Sequence, residues 1–232
     1  MSSAPALSKK LGAEFFGTFV FVLVGAGSAL GTASLTAPNS GTTLLVAALG
    51  NGIGLAVAVT ATLKISGGVL NPAVAIGLLT VRKLTAKEAV LYTVTEIVAA
   101  TVAAASLVAA FPAALGDQVK WGSPTLGVSV SSLEGAGIEA LLTFVLMFAI
   151  YGTAVDRRAP HVGGIGIGLA VLADVLVGGN LTGAAMNPAR ALGPMIAGGF
   201  YPGYWYIYIA GPVVGAVAAA LAYHLFVESP SE

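Results

Sequence analysis

Two Asn-Pro-Ala triplets, Asn71-Pro72-Ala73 and Asn187-Pro188-Ala189, each sit in a hydrophobic segment interrupted by glycine. Asn187 suits the N-cap of a helix, and Pro188 suits its first position, where a missing N–H loses nothing. The apolar residues that follow stop near position 196, ahead of Gly198 and Gly199. A helix of about ten residues is roughly 15 Å long, half of a ~30 Å hydrocarbon core. With Arg190 in its first turn it cannot cross a bilayer alone, and it can lie within one only against protein or a cavity. The first triplet has the same setting, with Gly67 and Gly68 before it and a short apolar run to about position 79 after it. The triplets are 116 residues apart (187 − 71). Glu14, Thr18 and Phe19 match Glu139, Thr143 and Phe144 at a spacing of 125 (139 − 14). One Asn-Pro-Ala is a weak signal, since Asn-Pro often opens helices. Two, in matching broken segments of a duplicated chain, point to a permeation or binding site.

Composition sets the environment. Hydrophobic residues make up 57% of the chain and charged residues 9%, and the mean hydropathy is +0.93. A soluble domain of 232 residues could not hide that much apolar surface. The expectation is a single integral membrane domain over residues 1–232, with repeat one at about 11–110 and repeat two at about 133–226. A net charge of +0 argues against nucleic acid as a partner. There is no cysteine, and His161 and His224 form no metal-ligand spacing, so no cofactor or metal is expected. No Ser/His/Asp set suggests an enzyme.

The hydrophobic pattern predicts six spans, at about 11–30, 43–63, 89–110, 133–155, 162–177 and up to 226, with the two half-helices after spans two and five. The first ten residues are short and polar, and the apolar run after them is too continuous for a signal-peptide core. Of ten basic residues, Lys9, Lys10, Lys64, Arg82, Lys83, Lys87, Arg157 and Arg158 fall on one side if both half-helix loops return to the side they leave. Lys120 alone falls opposite, which by the positive-inside rule puts both termini in the cytoplasm. Three spans per repeat make the repeats inverted. The half-helices then enter from opposite faces and their N-termini meet near the midplane.

Two facing helix N-termini make a positive node, roughly +0.5 charge each. Asn71 and Asn187 would offer amide N–H groups to the same space. A water there gives its oxygen to both, so it cannot relay a proton, and cations are repelled. The glycine-rich approaches are expected to run extended. Their carbonyls at Gly67, Gly68, Val69 and Leu70, and at Gly183, Ala184, Ala185 and Met186, would line two half-pores. Arg190 lies about one turn from the midplane, towards the outer mouth. A bland alternative makes it a salt-bridge anchor to Glu96 or Asp174, since an uncompensated intramembrane arginine costs about 2.5–3.5 kcal/mol.

The set resembles the aquaporin (major intrinsic protein) family over nearly the whole chain. The residues that carry the resemblance are Ala13-Glu14-Phe15-Phe16-Gly17-Thr18-Phe19, Ile65-Ser66-Gly67-Gly68, Asn71-Pro72-Ala73, Met186-Asn187-Pro188-Ala189-Arg190 and Ala210-Gly211-Pro212. The resemblance implies an all-α membrane fold of six helices and two re-entrant half-helices, in a homotetramer with one pore per subunit. It also implies a second filter of which Arg190 is one member, the others falling on Asn51, Val175 and Ala184. Asn51 stands where an aromatic residue or histidine is usual, and Val175 where narrow water channels have histidine, so a wider constriction is expected. The run 174–179 with 183–187 is similar to the tonoplast-type branch, which implies passage of water with ammonia, urea, hydrogen peroxide or glycerol. Ala191 after Arg190 argues against a dedicated glycerol facilitator, which stays as the alternative. A secondary transporter is a more distant one, because inverted repeats with broken helices serve those too. Glu96 and Asp174 would be its spare carboxylates.

Glu14 and Glu139, at equivalent repeat positions, read either as anchors that accept backbone N–H groups of the re-entrant loops or as interfacial acids near helix starts. The resemblance favours the anchors. Lys64 reads as a lysine snorkelling to lipid headgroups, with a gating role as the alternative. His161 reads as a solvated loop residue, and Asn51 has a helix-packing reading beside the filter one.

Overall fold

The long helices are apolar on every side rather than along one stripe, as a lipid solvent demands. The computed structural model describes residues 5–35, 41–160 and 162–228, and among these the regular structure is all helical. In chain order come α1 (Leu7–Thr32), α2 (Gly41–Ser66), the half-helix α3 (Pro72–Thr80), α4 (Ala86–Ala110), the short α5 (Ala113–Gln118), α6 (Ser132–Ile150), α7 (Ile165–Thr182), the half-helix α8 (Pro188–Gly198) and α9 (Ile207–Phe226). A single π turn (Tyr151–Val155) extends α6. Six of these, α1, α2, α4, α6 with its π turn, α7 and α9, are long and apolar enough to cross a membrane. On α4 the large residues Val90, Val94, Val98 and Val102 face outwards, while the small Ala99, Ala100, Ala103 and Ala104 are buried. Small residues inside let helix backbones approach closely.

Packing repeats across the duplication. The helix α1 packs on α2 and α4, as α6 packs on α7 and α9, and α2 meets α7 between the halves. Each half-helix seats in the opposite repeat: α3 against α9, and α8 against α4. Two glycines make this possible. A Cβ on Gly77 would lie 3.0 Å from the Ala216 carbonyl, and one on Gly193 would lie 2.5 Å from backbone carbon of Ala100. Both members of this pair keep the 116-residue offset (193 − 77 and 216 − 100).

One end of the bundle gathers the start of α1, the start of α4 and the end of α9. Lys10 pairs with Glu88, and Lys83 with Glu228. The N–H of Gly164 donates to Thr60 Oγ1 at 3.0 Å, which brings the start of α7 to the end of α2. Arg158 donates to the Val227 carbonyl at 2.7 Å and pairs with Asp156. This is called the terminal face below, and the opposite end, with α5, the far face.

One sequence expectation needs correction here. The sequence pattern ends span five near position 177, yet α7 continues to Thr182. Those glycines are packing contacts: a Cβ on Gly178 would collide with Leu142, and one on Gly179 would lie 2.5 Å from Leu44. The stop is Gly183, in the left-handed conformation at φ 83. His161 lies outside the described residues.

Candidate functional site

The site begins at the two caps. Asn71 is extended (φ −158, ψ 114) and its Oδ1 accepts the Ala73 N–H at 2.9 Å. Asn187 is alike (φ −150, ψ 112), and its Oδ1 accepts from Ala189 at 2.9 Å and Arg190 at 3.2 Å. Each Nδ2 then reaches across to the other loop. Asn71 donates to the Met186 carbonyl at 2.9 Å, and Asn187 to the Leu70 carbonyl at 2.7 Å. The N-termini of α3 and α8 are therefore stapled head to head. An amide carries two N–H groups, so among the described residues each asparagine keeps one unspent, and each accepting carbonyl keeps a lone pair.

The loops leading to the caps are not extended throughout. Gly67, Gly68 and Leu70 have φ of 95, 58 and 49, and Gly183, Ala184 and Met186 have 83, 45 and 52. The extended reading fails because left-handed residues recur along each loop and fold it back on a buried carboxylate. Glu14 accepts the N–H of Val69 at 3.1 Å and of Leu70 at 2.7 Å. Glu139 accepts the N–H of Ala185 at 2.9 Å, that of Met186 at 2.7 Å, and the Thr182 hydroxyl at 2.7 Å. The carbonyls of Gly67, Gly68, Val69, Gly183, Ala184 and Ala185 accept nothing from protein among the described residues.

Sequence reasoning missed a second pair of braces. Ser66 Oγ accepts the Gly68 N–H at 3.2 Å, and the Tyr92 hydroxyl donates to the Ser66 carbonyl at 3.1 Å. In the other half, Thr182 Oγ1 accepts from Ala184 at 3.1 Å and Tyr208 donates to the Thr182 carbonyl at 2.9 Å. Both pairs keep the offset of the triplets (182 − 66 and 208 − 92, each 116), so the signal was present in the sequence.

Arg190 is 7% exposed. Its Nε donates to Asn51 Oδ1 at 3.0 Å and its Nη1 to the Gly122 carbonyl at 2.8 Å. It forms no ion pair among the described residues, so the reading as a salt bridge to Glu96 or Asp174 is set aside for these two bonds. Asn51 also donates from Nδ2 to the Ala47 carbonyl on its own helix at 2.9 Å. The Gly122 carbonyl was not foreseen. It sits in a turn where Lys120, Trp121 and Gly122 take φ of 51, 54 and 78 in succession. Left-handed backbone costs a non-glycine residue roughly 1–2 kcal/mol, and burial of the Trp121 indole opposes that cost.

Three cavities lie in series. The outer one, on the far face, is ≈ 340 Å³ and is lined in part by Asn51, Val175, Gly183 and Arg190. The central one is ≈ 20 Å³ and holds Asn51, Asn71, Ala184, Met186 and Asn187 in its wall, close to the room one water requires. The inner one is ≈ 330 Å³ and opens at Lys83 on the terminal face. Asn51 is shared by the outer and central cavities, and Gly68, Val69, Val74, Ile150 and Ile167 by the central and inner ones. Phe21, Leu55, Val59 and Val171 make the central wall largely apolar. Lys64 is exposed and lines none of these cavities; the basic residue at the inner rim is Lys83. Neither Glu96 nor Asp174 lines any of the three.

Comparison with known proteins follows the same line. The family described as Major intrinsic protein matches residues 1–223. Aquaporin TIP4-4 of Zea mays is 41% identical over 216 residues, covering 91% of this chain and 83% of that protein. Probable aquaporin TIP3-2 of Arabidopsis thaliana is 38% identical over 227 residues, covering 93% and 82%. The X-ray structure of the aquaglyceroporin from Plasmodium falciparum shares the fold, with a TM-score of 0.82 at 24% identity, covering 96% of this chain and 97% of that one. With six membrane-crossing helices, two inverted half-helices and this match along its length, the chain is a multi-pass integral membrane protein that belongs to the major intrinsic protein, or aquaporin, family of channels.

Proposed function

We propose that the chain conducts water and small neutral solutes of the size of ammonia, urea, hydrogen peroxide or glycerol, passively and without protons or ions. One observation carries the reading: three cavities follow one another through shared lining residues, and the central one is walled by two asparagines that cap opposed half-helices. A water beside them gives its oxygen to the unspent N–H groups of Asn71 and Asn187, and its own hydrogens point away along the pore. Its lone pairs are then occupied, so a proton cannot hop through it. The helix N-termini add positive potential against hydronium and metal cations. On either side, the unspent loop carbonyls replace the hydrogen bonds that water gives up, and the apolar wall opposite adds none to hold it. Glu14 and Glu139 anchor those loops.

In this reading Asn51, Val175, Ala184 and Arg190 form the outer filter. Arg190 lines the outer cavity, and among the described residues its Nη2 has no protein partner, so it can donate to permeant oxygen and oppose cations. Glu96 and Asp174 stay out of the path, which supports a passive channel over a transporter. The concentration of lysine and arginine at the terminal face supports a cytoplasmic position for both termini. The assembly is a homotetramer with one pore per subunit.

Stopped-flow light scattering on proteoliposomes tests this. Water efflux and urea or glycerol uptake are expected to exceed those of empty vesicles and to ignore an imposed proton gradient. Accumulation of a solute against its gradient would overturn the channel reading.

A further inference from the structure

We propose that Trp121 is a positioning residue for the arginine filter: its indole fixes the direction of the Gly122 carbonyl, and through it the guanidinium of Arg190. The proposal rests on the reading of Arg190 as a filter residue.

The geometry separates Trp121 from its neighbours. Gln118, Val119, Lys120, Gly122 and Ser123 all line the outer cavity, and Trp121 does not. It is 6% exposed and turns away from the pore, into a cluster with Ala26, Leu30 and Leu107. Two glycines shape the slot. A Cβ on Gly116 of α5 would collide with the indole ring. A Cβ on Gly198, the last residue of α8, would lie 2.7 Å from its Cδ1. The indole is thereby held between α5 and the tail of the half-helix whose first turn carries Arg190.

The next residue is packed on the same helix as Ala26 and Leu30. A Cβ on Gly122 would lie 2.7 Å from Ala26, so this strand of the turn is pressed on α1, and its carbonyl accepts from Arg190 Nη1 at 2.8 Å. Three successive left-handed residues do not hold such a turn by local preference. What holds it is the buried indole. Trp121 does not line the cavity, so an effect on selectivity is indirect, and the Gly122 carbonyl is the hydrogen-bonded link from its turn to Arg190.

The test uses the full channel in proteoliposomes, with urea as probe solute and a proton-sensitive dye inside. In Trp121→Ala the ratio of urea to water permeability is expected to rise about threefold or more, the scale on which coupled residues report each other, with a faster proton leak. Trp121→Phe, which still fills the slot, returns both towards the parent. In an Arg190→Val background, Trp121→Ala is expected to add nothing. Gly116→Ala, which pushes on the indole from α5 and touches neither the pore nor Arg190, gives the same shift should Trp121→Ala fail to fold. An unchanged ratio in the folded variants overturns the proposal, and so does an equal shift with Arg190 already removed. If the parent itself moves water no faster than empty vesicles, the proposed function fails, and that result is distinct from either.

Discussion

The side-chain oxygen of Asn51 accepts the Nε–H of Arg190 at 3.0 Å, while the amide nitrogen of Asn51 is held by the Ala47 carbonyl at 2.9 Å. Asn51 is thus fixed at both ends of its amide. It also packs against Gly25, where a Cβ would collide with its Oδ1. A hydrogen bond to a charged group contributes about 1.5–3 kcal/mol. A larger residue at position 51 therefore changes the outer cavity twice, by occupying space and by releasing the arginine.

Asn51→Phe combined with Val175→His fills the outer cavity from two of its walls. Urea and glycerol fluxes are expected to fall more than water flux in stopped-flow scattering. Equal loss of all three would remove Asn51 and Val175 from the filter.

Arg190→Val removes the positive side chain from the outer mouth and strands two acceptors, Asn51 Oδ1 and the Gly122 carbonyl. A measurable proton or sodium conductance is expected in planar bilayers or oocytes. A current equal to that of the parent would deny the arginine an exclusion role.

Glu139 serves three donors and Glu14 two. Each buried donor left without a partner costs about 1–3 kcal/mol. Glu139→Ala is therefore expected to lower the unfolding temperature in detergent more than Glu14→Ala, and both are expected to reduce water permeability. The reverse order of stabilities would show that the loops are held by something other than these carboxylates.

The clasp at the terminal face has a defined pH window. Hydrogen bonds from Arg158 hold Asp156 below its ordinary value of 3.8. At Glu228 burial acts upwards, and the bonds from Lys83 and His224 outweigh it, so this carboxyl lies below 4.5. Depressed carboxylates stabilise the folded state above their unfolded values and lose that contribution as pH falls through the folded ones. Amide exchange in residues 156–158 and 227–228, corrected for intrinsic rate, should show steady protection from pH 7 to 5 and loss below about pH 4. Asp156→Asn should loosen the clasp at pH 7. Loss of protection between pH 7 and 5 in the parent would assign control to a different group.

Spans and half-helices are legible because lipid imposes an unusually strict length and polarity on each segment. The paired asparagines are legible as well, since cap chemistry names its own residues. The Gly122 carbonyl is not, because a backbone acceptor has no residue type to betray it and its partner lies 68 positions away. The packing role of Gly178 and Gly179 is hidden for a related reason, since glycine can mark a helix stop or a close contact with the same letter. Ser66 and Thr182 could have been found by sliding one repeat over the other, because their tyrosine partners move with them. The inner rim belongs to Lys83 and not Lys64 because α2 turns its last basic residue outwards, which hydropathy alone does not record.

The exchange of half-helices between repeats has a consequence for how the chain is made. The seat of α3 is α9, whose first residue is Ile207, so the short helix emerges from the ribosome long before its resting place exists. At about 5–20 residues per second, the segment waits on the order of ten seconds, with an unshielded arginine and lysine just behind it. Until the last span arrives, the nascent chain holds a gap in the bilayer that lipid or the insertion machinery must cover. The half-helix α3 is therefore fully seated only once α9 has been made.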